Sequence, residues 1–257
     1  MKMKAKEVAK KCAQWILVAV VWLAIWQAAH EIIDKSILLP SPAETFGRLW
    51  EIAGTAELWQ AVAGTVLRIL AGFAGGMVIG SLMAAFTYWS PMLRKLFHPL
   101  LVITKTTPVA SFIILALVLL PTGIVPSFTV MLIVTPVFWS NVFGGANAVD
   151  GNLLEMAQMF DFSASQRIRR IYIPSLMPYF RSAVTSGIGL AWKSGIAAEV
   201  ICVSRDSIGS NLYESKIYLE TDNLFAWTAV VIIISIVIER AVVTAVNAAF
   251  GDRRAVR

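Results

Sequence analysis

The sequence predicts an all-α polytopic membrane protein, on three observations. The chain of 257 residues is 58% hydrophobic and only 15% charged, where soluble domains carry about a quarter charged residues. Its mean hydropathy is +0.72. Several of its apolar runs approach the roughly 20 residues that cross about 30 Å of hydrocarbon. Inside lipid only helices and closed barrels satisfy their backbone, and these runs lack the alternation of barrel strands.

Six spans are expected within one transmembrane domain, 1–257. They are Ala13–Ile33, Ala61–Trp89, Leu100–Leu120, Ser127–Phe143, Ser182–Val203 and Leu224–Phe250. The opening MKMKAKEVAKK followed by an apolar run also fits a signal peptide. Ala13–Ala29 is longer than the usual 7–15-residue core, and five more spans follow, so a retained first span is expected. Trp15, Trp59, Trp89 and Trp227 fall near predicted span ends, as interfacial belts require.

Orientation follows from the 22 lysines and arginines. Fourteen lie on one side: Lys2, Lys4, Lys6, Lys10, Lys11, Arg94, Lys95, Arg167, Arg169, Arg170, Arg181, Arg253, Arg254 and Arg257. The opposite loops hold five, Lys35, Arg48, Arg68, Arg205 and Lys216, while Lys105, Lys193 and Arg240 fall within spans. Positive-inside bias then puts both termini and the 144–181 insert in the cytoplasm. The net charge of +6 is read as topological. Nucleic-acid binding is excluded because the bases flank spans without forming a patch interleaved with aromatics.

The polar insert between the fourth and fifth spans is the most informative stretch. Asp150 or Asn152 can cap a short helix, Leu153–Phe160. Leu153, Met156, Ala157 and Phe160 share one face at i, i+3, i+4, i+7 spacing. Asp161 interrupts it. Ser163 can cap a second helix, Ala164–Tyr172, which Pro174 ends. An amphipathic helix laid in an apolar groove is a common recognition mode, and Ala157 would allow close approach. Glu155 adds a charge able to pair with a basic residue. Packing against the protein's own bundle is the alternative.

Within the spans, Gly72, Gly76 and Gly80 recur at i, i+4, i+8, a stripe that lets helices approach closely. Gly187, Ala191 and Gly195 form a second stripe, which Glu199 continues. Lys193 sits near mid-bilayer, where even low insertion scales charge about 2.5–3.5 kcal/mol, so it should face water or a partner. One reading puts Lys193 on a path for an anionic or polar solute, with Glu199; the other makes it a structural ion pair or a snorkelled side chain. Lys193 and Glu199 are too far apart around the helix to pair with each other. Lys105, with Thr104, Thr106 and Thr107 before Pro108, is placed at a cytoplasmic gate. Pro121, Pro126 and Pro136 are read as helix ends and kinks.

Catalytic signatures are not found. GLAWKSG lacks the glycine a phosphate-binding loop needs before its lysine, Trp192 standing there. The lone His30 and His98 are expected at opposite faces, Cys12 and Cys202 match no metal spacing, and no HExxH, GxSxG or CxxC occurs.

Glu155 and Ala157, then Ile171, Ile173, Pro174 and Pro178, resemble the EAA loop of bacterial ATP-binding-cassette importer permeases. LLPSPAETFGRLW (38–50), LWQAVAGTVLRILAGF (58–73), HPLLVITKTTPVA (98–110) and GLAWKSGIAAEV (189–200) are similar to the nitrate/sulfonate/taurine branch of that family. The resemblance covers nearly everything except the first span and the C-terminal tail. It implies a permease subunit that performs no chemistry itself. The partners it implies are an ATPase subunit dimer that holds ATP and magnesium, a second permease copy, and an extracytoplasmic solute-binding protein. The coupling loop so implied is Glu155, Met156, Ala157, Phe160, Asp161 and Pro174. Two positions depart from the family pattern: Met156 stands where alanine is usual, and Asp161 where glycine is usual. Acidic residues in the outer loops, among them Glu44 and Asp222, would offer a docking surface or simply be solvated. An ion-driven carrier, which usually shows an internal repeat, and a membrane enzyme are the rival classes. The solute is not named by any of these residues.

Overall fold

The computed structural model describes residues 2–250, with side chains described for 13–248. Among these residues every element is helical. The basic residues Lys2 to Lys11, Cys12, and Arg253, Arg254 and Arg257 lie outside the described side chains, so the terminal share of the charge bias rests on sequence.

The elements are α1 (Lys2–Ile33), α2 (Pro42–Ala53), α3 (Ala56–Trp89), α4 (Pro91–Thr106), α5 (Val109–Leu119), α6 (Val125–Asn147), α7 (Gly151–Met159), α8 (Ala164–Arg167), a π turn (Ile168–Tyr172), α9 (Ile173–Cys202), α10 (Ile208–Ile217) and α11 (Thr221–Phe250). Chain contacts divide them into two compact units. One is Met1–Trp59 with Asn211–Val231; the other is Gln60–Ser210 with Ile232–Arg257.

Four helices are long and apolar enough to cross a membrane: Ala13–Ile33, Ala56–Trp89, Val125–Asn147 and Thr221–Ala248. They correspond to the first, second, fourth and sixth expected spans. The third, Leu100–Leu120, is not one helix. α4 and α5 are bent 109° apart, a fifth crossing only if the broken pair counts as one span. Pro108 is the cause. It offers no N–H, and it pushes Thr107 into extended backbone at φ −75°, ψ 134°. α9 is long enough at 30 residues, but Arg181, Lys193 and Glu199 break its apolar run. It begins well before the expected Ser182, because Pro174 occupies its first turn instead of ending the preceding segment. Pro126 likewise opens α6, while Pro136 lies inside it.

The first unit joins the loop after α1 to α2 and α11. Ser41 caps α2 in a full capping box: its hydroxyl accepts from Glu44 N–H, and Glu44 accepts from Ser41 N–H at 2.7 Å. Trp26 Nε1 donates to the Pro40 carbonyl at 3.0 Å and its ring meets Phe225 at 5.8 Å. Trp227, expected in an interfacial belt, is buried in this unit at 3% exposure, whereas Trp15, Trp59 and Trp89 are exposed.

The second unit is built on α3, α6 and α9. A methyl on Gly72 would strike the Ser127 carbonyl and come within 2.8 Å of Val130 Cβ; on Gly76 it would lie 2.8 Å from Met131 O and Val134 Cβ. On Gly80 it would strike the Thr135 carbonyl. α3 and α6 therefore touch backbone to backbone along three turns. The second stripe meets side chains. Gly195 faces Ile69 and Val130, and Gly187 faces the rings of Phe73 and Phe138 at 3.3 and 3.4 Å. Val130, Val134, Phe138, Ile69 and Ala191 are completely buried.

Candidate functional site

The segment between α6 and α9 is a short rod held at both ends by its own sequence. Asp150 caps α7, its carboxylate accepting from Asn152 N–H at 2.9 Å. At the other end Phe162 N–H donates to Ala157 O at 2.8 Å and Asp161 N–H to Gln158 O at 3.1 Å. This pair of bonds is a Schellman closure, which needs one left-handed residue. Asp161 supplies it at φ +51°, in the place where the resembling family carries glycine. Asp reaches this region more readily than most residues because its short polar side chain bonds locally.

Ser163 then starts α8 with a second capping box, its hydroxyl accepting from Gln166 N–H and Gln166 Oε1 from Ser163 N–H at 2.8 Å. The expected helix Ala164–Tyr172 is instead one α turn followed by the π turn, which runs directly into α9. A π bulge is rare and favours functional sites. Here it makes α8 and α9 one continuous arm.

Exposure sorts the faces of α7. Ala157 is fully buried against its own chain, so it does not face a partner, as the spacing had suggested. Met156 is 41% exposed, Met159 84% and Phe160 70%. These apolar side chains are left uncovered on a rod closed by hydrogen bonds at each end. Glu155 and Pro174 are exposed as well.

The charged residues inside α9 separate. Lys193 is exposed on the helix surface; among the described residues it forms no salt bridge. Glu199 is fully buried. Its Oε1 accepts from Arg68 Nη1 at 2.9 Å, and its Oε2 from Thr65 Oγ1 at 2.7 Å and Gly209 N–H at 3.4 Å. Arg68 Nη2 also donates to the Arg205 carbonyl at 2.7 Å, and Thr65 Oγ1 accepts from Ile208 N–H at 2.9 Å. One ion pair thus ties α3 and α9 to the loop after α9, where Val203 and Asp206 are left-handed at φ +47° and +48°. Glu199 is committed to this lock.

Arg68 was assigned to an outer loop; it lies inside α3. The signal for it was present: an arginine inside the apolar run VLRIL, three residues after Thr65 on the same helix face, calls for a buried acidic partner. Which acid answers was not legible, since Glu199 is 131 residues away. Lys105 is exposed with its ammonium 5.8 Å from the Trp139 ring centre, and the Thr104 and Thr106 hydroxyls donate back to carbonyls of their own helix. The Thr104 and Thr106 hydroxyls are therefore satisfied within α4 itself.

A helical membrane bundle with a capped rod on a continuous arm and an apolar face left uncovered on the rod suits a transport subunit. The family comparison agrees: residues 76–256 match the binding-protein-dependent transport system inner membrane component, and the chain belongs to that family. It is 25% identical over 229 residues to the taurine transport permease TauC of Escherichia coli, covering 86% of this chain and 82% of TauC. It is 24% identical to the putative aliphatic sulfonates permease SsuC of Bacillus subtilis, over 82% of this chain and 77% of that one. Among solved structures, a chain of a bacterial ABC transporter involved in alginate import superposes with a TM-score of 0.60 at 14% identity, covering 98% and 99% of the two chains. The chain is an ATP-binding-cassette importer permease and a multi-pass inner-membrane protein.

Proposed function

We propose that this subunit passes a small anionic or polar solute, handed over by an extracytoplasmic binding protein, through a pore made with a second copy. A separate ATPase dimer, which binds ATP and magnesium, drives the cycle through α7 and the arm behind it. The observation that carries this reading is the rod Gly151–Met159 with Met156, Met159 and Phe160 uncovered. An apolar helix face closed at both ends needs a grooved partner, and here that partner lies in the cytoplasm if the arginines around it obey the positive-inside rule.

The relatives named for taurine and sulfonates support an anion, and the exposed Lys193 is the residue best suited to meet one. Replacing Lys193 with Met should then lower uptake of anionic solutes. Unchanged uptake of every anion tried removes Lys193 from the path.

The partner is tested by cysteines placed at Met159 and Phe160. Crosslinking to a co-purifying ATPase, blocked by a glutamate at Phe160, is expected. A rod that captures no nucleotide hydrolase, with ATP-independent uptake that collapses with the ion gradient, would show a secondary carrier instead.

A further inference from the structure

The end of α3, the π turn and α6 meet in one aromatic cluster. Tyr172, the last residue of the π turn, sets its ring 5.9 Å from Tyr88 and 6.2 Å from Trp89. The two tyrosine hydroxyls stand 3.3 Å apart. Tyr88 meets Phe143 at 6.5 Å, and Phe143 stacks on Trp139 at 5.3 Å with the planes 15° apart. Trp139 Nε1 donates to Thr87 Oγ1 at 2.9 Å, which fixes the indole on α3. The π turn aims Tyr172. Ile173 N–H bonds back to Ile168 O, one residue farther than in an α turn, and an inserted residue turns a helix face by about 100°.

α4 lies on this cluster through a cation at each end. Arg94 covers the Phe143 ring at 4.7 Å, Lys105 stands 5.8 Å from the Trp139 ring centre, and Leu101 is buried between them in sequence. α5 is anchored elsewhere. Its Ile113 and Ala116 share a buried cluster with Val125 at the start of α6 and with Ala198 and Cys202 at the end of α9. Between the two anchors, α4 ends with Thr107 N–H donating to Ile103 O, and α5 starts with Ser111 N–H donating to Pro108 O, both at 3.0 Å. A backbone break between two separately held helices is the geometry of a hinge.

We propose that Tyr172 and the aromatic cluster form the joint that carries movement of the rod to the hinge at Thr107 and Pro108. Tyr172 and Lys105 are positioning residues at its two ends. The proposal rests on the ATPase reading of the rod and adds the residues along which the motion passes. Movement entering at one end must then be lost at the other when either positioning residue is removed.

Thr107→Cys at this half-buried position, in a chain carrying Cys12→Ala and Cys202→Ala, reports the hinge by its rate of maleimide labelling. The full chain is purified with its ATPase, and the rate is compared without nucleotide and after trapping with ATP, magnesium and vanadate. Trapping should change the rate several-fold. Tyr172→Ala and Lys105→Met should each keep the nucleotide-free rate and lose the change on trapping. Tyr172→Phe, which retains the ring, should recover it. Lys105→Met alters an exposed side chain, so it decides the matter if Tyr172→Ala does not fold. No change on trapping in the otherwise native chain, or a change that survives either replacement, overturns the joint and leaves the ATPase reading standing. A chain that brings no ATPase through purification removes both.

Discussion

Arg68 and Glu199 show how one residue pair fixes the end of the bundle where α9 stops. A buried carboxylate is tolerable only when its charge and lone pairs are met, and Glu199 receives three donors from three places in the chain. Removing one partner of a buried pair costs about 3–5 kcal/mol because the other charge is stranded. Arg68→Ala should therefore lower thermal stability of the purified chain, and it should expose the buried Cys202 thiol, three residues after Glu199, to labelling in a background where Cys12 is serine. Arg68→Lys, which keeps the charge, should restore part of the protection. A Cys202 that stays unreactive in Arg68→Ala would show that the loop does not depend on the pair.

Glu44 makes a second prediction at this scale. The Ser41 N–H, then the Ser41 hydroxyl, hold its carboxyl below the ordinary 4.5 against some desolvation. The folded pKa is depressed, so the ionised cap adds stability above the unfolded pKa, and that share disappears as pH falls through the folded value. Native protein should lose stability on acidification through this window, while Glu44→Gln starts lower and changes less there. Parallel melting curves for the two proteins from neutral to acid pH would refute the cap's contribution.

At the scale of elements, α3 and α6 are matched by three glycines rather than by large side chains. A membrane offers little hydrophobic drive between helices, so backbone contact and packing hold them. Gly76→Val drives a branched side chain into Met131 O and Val134, already 2.8 Å from a single methyl. Overpacking of this kind costs about 1–3 kcal/mol. Reduced stability in detergent with normal membrane insertion is the expected result; an unchanged melting temperature would mean the helices separate easily. The glycine spacing was visible in the sequence, and so was the rod, with a cap at Asp150 or Asn152 and another at Ser163, because caps and short helices are written in neighbouring residues. The π turn was not. Whether a chain passes from one helix to the next through an α turn or a π turn depends on what α9 packs against, and a proline at a helix start looks in sequence much like a proline at a helix end.

For the whole molecule, the charge bias predicts which end faces which compartment. A cysteine at Met159 should react with a membrane-impermeant reagent only in inside-out vesicles, and one at Asp206 only in right-side-out vesicles. Labelling of both from one side would reverse or abolish the assigned topology.

Hydropathy and local pattern determined the helical membrane class, four of the crossings and the capped rod, since each depends on residues close together in the chain. The tertiary structure decided that Ala157 turns inward, that Thr107 and Pro108 break the third crossing by 109°, and that Glu199 belongs to Arg68 while Lys193 is left exposed. Burial and ion pairing depend on which helices meet, and the folded chain brings Arg68 and Glu199 together across most of a sequence that keeps them far apart.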